Sequence, residues 1–112
     1  AAAGCVGLRT QSLEGTWLGP WPLEGAKDCR TRIWQDGAFD LSCRDASAWS
    51  GAGTWVRRAE HLEFEFLVLR EGDRDALQKP KVRLRLTPQG NRLDLGEEAT
   101  GLVFRWTRGP IR

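Results

Sequence analysis

The chain has no tyrosine and no methionine, a single histidine at position 61, and an almost cancelled charge of +2 from 17 basic and 15 acidic residues. Each shortage removes a class of function. A balanced charge does not supply the clustered basic face that nucleic-acid binding needs. No apolar run approaches the length of a membrane-spanning helix. There is no Cys-x-x-Cys pair for redox chemistry. His61 stands in a predicted turn beside Glu60, with no serine or cysteine placed by a motif, so no nucleophile–base pair assembles around it. It reads as a solvated turn histidine. Glu71, Asp73 and Asp75 share a long loop, but Arg70 and Arg74 are interleaved with them and oppose a cation there. That loop reads as self-neutralising, and neither a metal nor an organic cofactor is expected. Long helical periodicity is missing as well.

What remains is a chain of 112 residues with six tryptophans, four phenylalanines and 13 glycines. That is enough apolar material for the core of one domain. Short alternating runs recur every 8–12 residues between turn signals, which is the all-β pattern. Eight are readable, at about 13–19, 29–34, 38–43, 53–58, 61–69, 81–87, 92–95 and 101–108. Three connections are tight. "CRTRIWQDGAFDLSC" predicts a hairpin around Gln35-Asp36-Gly37 that pairs Ile33 with Phe39, Arg32 with Asp40 and Cys29 with Cys43. "RRAEHL" sets Trp55 against Phe64 and Gly53 against Phe66, the glycine making room for that ring. "PQGN" sets Leu86 against Leu93, Leu84 against Leu95 and, on the outer face, Arg85 against Asp94. The long connections 20–28, 44–52, 70–80 and 96–100 follow odd-numbered strands, so they gather at one end. The expected fold is therefore an all-β, eight-stranded, up-and-down antiparallel barrel with a plain end, an elaborated mouth and no long helix. It occupies residues 12–112, after a flexible N-terminal segment over 1–11.

Cys29 and Cys43 fall opposite each other in the first hairpin. A metal pair would want more cysteine or histidine nearby, so a structural disulfide is expected, worth roughly 3 kcal/mol in the chain-entropy model. The third cysteine, Cys5, lies in "AAAGC", where small residues and Gly-Cys resemble the lipidation box of a bacterial lipoprotein. The alternative is a free thiol near a frayed terminus. Disulfide-permissive pairing and a lipidation box point to the same extracytoplasmic compartment.

The Gly15-Thr16-Trp17 triplet on the first strand, the eight-strand meander and the last strand "GLVFRWTR" together resemble the lipocalin-like, or calycin, barrels. "DGAFDL", "GTWV" and "GNRLDL" resemble strands of small bacterial lipocalin-like lipoproteins. This resemblance covers about residues 12–108. It implies that Trp17 closes the barrel floor and that a basic residue, Arg105 or Arg108, packs across the indole as a cation over a π face. "AWSGAGTW" is also similar to a segment of the avidins, without the rest of a biotin-contact pattern. The chain is short for a lipocalin, which argues against a deep cup.

The predicted inward set is Trp17, Ile33, Phe39, Leu41, Trp55, Phe64, Phe66, Val68, Val82, Leu84, Leu86, Leu93, Leu95, Phe104 and Trp106. So many large side chains in a barrel of this size favour a filled interior. Trp21 and Trp49 fall outside the alternation, in loops at the mouth. They are the candidate contacts for a small apolar ligand or a partner protein, unless they fold down as lids. Trp34 is expected on the outer face, covering arginine stems of strand two. The sequence thus predicts a monomeric, non-enzymatic, extracytoplasmic bacterial protein, carrying a lipid anchor if Cys5 is modified. Two functions remain: a lipocalin-like binder of a small apolar ligand at the mouth, and an interaction module such as a periplasmic protease or lysozyme inhibitor. Small barrels of the latter kind have a similar "LxGxW … C … C" layout.

Overall fold

Nine strands form in a computed structural model that describes residues 13–109: β1 Gly15–Gly19, β2 Cys29–Ile33, β3 Ala38–Cys43, β4 Trp49–Arg58, β5 His61–Glu71, β6 Arg74–Asp75, β7 Lys81–Gln89, β8 Arg92–Gly96 and β9 Val103–Arg108. All pair antiparallel with a sequence neighbour in the ring β1-β2-β3-β4-β5-β7-β8-β9, and β9 returns to β1. The two-residue β6 is an appendage that pairs with the outer end of β5. The barrel is thus eight-stranded, closed and all-β, without a helix among the described residues. Cys5 and the segment 1–11 lie outside those residues.

The β2–β3 hairpin has the expected register, with Cys29 opposite Cys43 and Arg32 opposite Asp40. Gly37 supplies the positive φ that its three-residue loop requires (101°), while Trp34 N–H donates to the Ala38 carbonyl at 2.9 Å. Cys29 and Cys43 are joined in a disulfide. On the outer face the Arg32 guanidinium bonds both Asp40 oxygens, the shortest contact being 2.6 Å. That partner raises the arginine pKa, first through the hydrogen bond and then through charge.

The β7–β8 hairpin differs from the expected register by two residues. Leu86 pairs with Leu95 and Pro88 with Leu93, so the turn is Gly90-Asn91. A two-residue hairpin loop needs positive φ at its first position, and Gly90 supplies it (φ 65°) where Gln89 would be strained. A slip of two leaves every side chain on its predicted face, so the core survives and the charge pairing does not. Arg85 stands opposite Gly96 and bonds Glu60 at 2.6 Å instead. Asp94 pairs with Arg105 of β9 at 3.1 Å.

The β4–β5 ribbon is longer than predicted, so the third connection shrinks to 44–48. Within it the register jumps between Ala52 and Gly53, because Leu67 is an extra residue on β5. Beyond this bulge the inward positions shift by one. Val68, expected inside, is 50 % exposed, and Leu69 is buried in its place at 1 %. The glycines here serve the close strand approach. A Cβ on Gly53 would strike the Glu65 and Phe66 backbone, whereas Gly51 is the residue that leaves room for the Phe66 ring. Trp55 and Phe104 are only partly buried, and apart from Val68 the rest of the predicted inward set is buried.

Candidate functional site

Trp17 is fully buried at the plain end, its Nε1–H donating to the Leu13 carbonyl at 2.9 Å. Arg108 lies over the indole, with Cζ 4.0 Å from the ring centroid, and donates from Nη1 to the Glu14 carbonyl at 2.6 Å. Burial in this floor lowers the pKa of the guanidinium from its ordinary value. Gly15 is what admits it, since a Cβ there would sit 2.6 Å from Arg108 Nη1. The floor cation is therefore Arg108. Arg105 points to the outer wall and pairs with Asp94. Strand alternation carries the distinction, because Arg108 shares its parity with the inward Trp106 and Arg105 does not.

At the mouth, β1 ends at Gly19-Pro20 and the chain turns in, so Trp21 does not line an open rim. Its indole is 1 % exposed and lies among the rings of Phe39, Phe64, Phe66 and Trp106, with centroids 5.0–5.9 Å away. Nε1 donates to the hydroxyl of the buried Thr31 at 2.6 Å. The backbone N–H of Trp21 donates to the Ala26 carbonyl at 3.0 Å, which folds the 20–28 connection over the plug. Trp49, half-buried at the mouth end of β4, holds the same connection through Nε1–H to the Glu24 carbonyl (2.8 Å). Both mouth tryptophans act as lids on the core in this structure. Trp34 remains on the outer face at 40 % exposure, with the Arg32 guanidinium 5.3 Å from its ring centroid.

Two polar clusters organise the surface. Asp45 accepts the backbone N–H groups of Lys27 and Asp28, both at 2.8 Å, on one carboxylate oxygen. The other oxygen accepts Ser47 N–H at 3.0 Å and the Ser47 hydroxyl. These donors, led by Asp28 N–H, hold the carboxyl far below the usual range. The carboxylate is also close to Cys29 and Cys43, but the sulfurs are bonded to each other and its oxygens are satisfied by N–H and O–H donors. The Asp45-x-Ser47 spacing is a local turn signature that could have been read from the sequence. His61, expected to be solvated, sits between strands instead. Its Nε2 is 3.0 Å from Glu98 and its Nδ1 is 3.4 Å from the Arg83 guanidinium, and Arg83 also reaches Glu63. This cluster joins β5, β7 and the β8–β9 connection, a long-range meeting with no sequence signal. In the acidic loop, Arg70 pairs with Asp75 at 3.4 Å and donates to the Asp73 carbonyl at 2.7 Å, so the loop neutralises itself.

A concavity of about 790 Å³ forms an open groove at the plain end, bordered by Glu14, Gly15, Arg32, Trp34, Asn91 and Arg108. Fold and site together define a small, disulfide-bonded, up-and-down antiparallel barrel whose interior is packed with aromatic rings. No protein-family model, curated protein or solved structure matches the chain.

Proposed function

We propose that the protein is an extracytoplasmic, non-enzymatic interaction module of lipocalin-like type that acts through its surface. The observation that carries this reading is the plugged barrel. The space where a small apolar ligand would enter is occupied by Trp21, which is packed against four aromatic rings and hydrogen-bonded to Thr31. Removing it would expose a large apolar side chain and orphan a buried hydroxyl. The disulfide suits an oxidising compartment. Lipidation at Cys5 belongs to the same reading: β1 starts at the plain end, so a tether there turns the mouth away from a membrane. The floor of Gly15, Trp17 and Arg108 supports lipocalin-like descent. The small-ligand alternative requires Trp21 to swing out.

The test is a pair of titrations on the disulfide-bonded protein. Tryptophan fluorescence is followed against a C16 fatty acid and an anilinonaphthalene sulfonate probe. In parallel, the protein is assayed as an inhibitor of a c-type lysozyme and of trypsin-like proteases. The expected result is no saturable fluorescence change and stoichiometric inhibition of one hydrolase. Saturable one-to-one uptake of the apolar probes without any inhibition would reverse the assignment in favour of the ligand binder.

A further inference from the structure

Trp34 is 40 % exposed, although tryptophan is a residue that folding covers well on average. Its main chain is nevertheless fixed. Trp34 N–H donates to the Ala38 carbonyl at 2.9 Å. Its own carbonyl accepts Gly37 N–H at 3.1 Å and Trp55 Nε1–H at 2.8 Å. The hairpin that carries it is crossed by the Cys29–Cys43 disulfide. Beside the ring lies the Arg32 guanidinium, which both oxygens of Asp40 hold in place. An exposed side chain on so constrained a support has little ordering left to lose when something binds to it.

Trp34 borders the plain-end groove of about 790 Å³. Strand pairing orders its walls. Arg32 stands opposite Thr16, and Gly109 N–H donates to the Thr16 carbonyl at 2.8 Å. The groove therefore runs from β2 across β1 to the end of β9 and the β7–β8 turn. Its middle is Gly15, Thr16 and Gly109, two of which carry no side chain. Trp34 and Arg32 border it on the β2 side, Asn91 and Arg108 on the other. The exposed Asn91 is positioned by its carbonyl, which accepts Arg108 N–H at 3.1 Å. Glu14 is turned toward the β2–β3 turn, where Oε2 accepts Gln35 N–H at 3.3 Å.

We infer that this groove is a binding site for a neutral oligosaccharide, with Trp34 as its stacking platform. Charge sets the first limit. Arg32 is offset by Asp40, and Glu14 and Arg108 carry opposite signs, so the lining has no net charge to attract an ion. A phosphate would also find both guanidiniums engaged, Arg32 by Asp40 and Arg108 by the Glu14 carbonyl. A purely apolar ligand would desolvate the amide, carboxylate and guanidinium groups without pairing them. What fits is a molecule with an apolar face and a polar edge. A hexopyranose ring has both: C–H groups on its faces, for the indole, and hydroxyls around its rim that donate and accept, for Asn91 and Glu14. The volume lies within the range of about 300–1,000 Å³ typical of ligand sites, and the open course over the wall suits a segment of a chain. This second surface lies away from the mouth and goes beyond the inhibitory reading, on which it does not depend.

The experiment is an NMR titration of the intact disulfide-bonded protein with chitohexaose and with cellohexaose. At least one sugar should give saturable shifts at the Trp34 indole N–H and at the Gly15, Asn91 and Gly109 amides, with the Trp21 indole N–H unmoved. Trp34→Ala should weaken binding by about tenfold, the scale of a lost aromatic contact, and Trp34→Phe should restore most of it. Asn91→Ala, at an exposed turn position, should weaken it by about three- to tenfold. No saturable shift with either sugar, shifts centred on the mouth, or undiminished binding by Trp34→Ala would each overturn the proposal. Binding that collapses in high salt would overturn it by making the groove a charge-selective site. Contacts from the Trp34 ring to residues 1–12 or 110–112 that persist with sugar present would overturn it by giving the groove to the chain's own ends. None of these failures touches the inhibition assay, so the broader reading stands or falls separately.

Discussion

The seam between β4 and β5 and the seam between β1 and β9 solve the same closure problem in opposite ways. The first is a ribbon of ten register pairs that projects toward the mouth and carries a bulge. The second has two register pairs. It is completed by side chains: Trp106 on the Pro20 carbonyl, and Arg108 over Trp17 and on the Glu14 carbonyl. At the long seam backbones approach so closely that glycine is required at Gly51 and Gly53. At the short seam close approach is confined to Gly19, where a Cβ would strike the Arg105 carbonyl oxygen; the strand then ends at Pro20, and Trp21 becomes the centre of the core. One seam is held by main chain and the other by aromatic packing, and substitutions should separate the two.

The largest effect belongs to the short seam. Trp21→Ala removes an indole surrounded by rings, leaves the Thr31 hydroxyl without that donor and frees the 20–28 connection. Large-to-small core changes of this kind cost about 3–5 kcal/mol. Urea denaturation should show that loss in midpoint. A drop below about 1 kcal/mol, the scale of a surface substitution, would mean that the plug is peripheral and that the barrel can open.

Gly53→Ala attacks the long seam. The added methyl meets the Glu65 and Phe66 backbone, which cannot move without shifting the bulge. Overpacking costs about 1–3 kcal/mol, and the upper part of that range is expected here. Gly96→Ala, at a strand glycine without positive φ where nothing lies within 4 Å of the added atom, is the control for the glycine-to-alanine change alone. Equal losses in the two variants would remove the close-approach argument.

The two seams also differ in how legible they are. Hairpin chemistry is local, so β2–β3 can be read to the residue from alternation, Gly37 and the facing cysteines. The β7–β8 register cannot be decided by alternation, because a slip of two residues keeps all faces; only the φ demand on Gly90 chooses. The bulge at Leu67 leaves no mark in a pattern already rich in apolar residues, so the place of Val68 was lost. Trp21 is the sharper case. It lies outside any strand, so periodicity is silent about it, and its burial depends on four rings contributed by three other strands. Arg108 was separable from Arg105 by parity with Trp106, but a resemblance that asks only for a basic residue at the barrel end does not use parity.

Asp45 tests how the mouth is held where β3 leads into the long seam. Its folded-state pKa is depressed below the ordinary 3.8 by N–H and hydroxyl donors. The sign follows from linkage: stability from this group is present above the unfolded value and is lost as pH falls from about 4 through the depressed folded pKa. Asp45→Asn should therefore lower stability at neutral pH and flatten the part of the acid-unfolding profile that begins near pH 4. A variant that keeps the parental slope below pH 4 would show that other carboxylates carry it.

The smallest effect returns to the long seam at its turn. Ala59 closes the β4–β5 hairpin with φ of 53°, a conformation that costs an L-residue with a Cβ about 1–2 kcal/mol. Glycine relieves that strain but loses about 0.5–1 kcal/mol through the greater freedom of the unfolded chain. Ala59→Gly should thus stabilise the protein by up to about 1.5 kcal/mol as the difference of those two costs, seen as a small rise in denaturation midpoint with unchanged slope. Such a rise would place the residual strain of the main-chain-held seam in its turn. A fall would mean that the ten-pair ribbon imposes the positive φ at no cost, and that the tight end of the barrel is as relaxed as the rest.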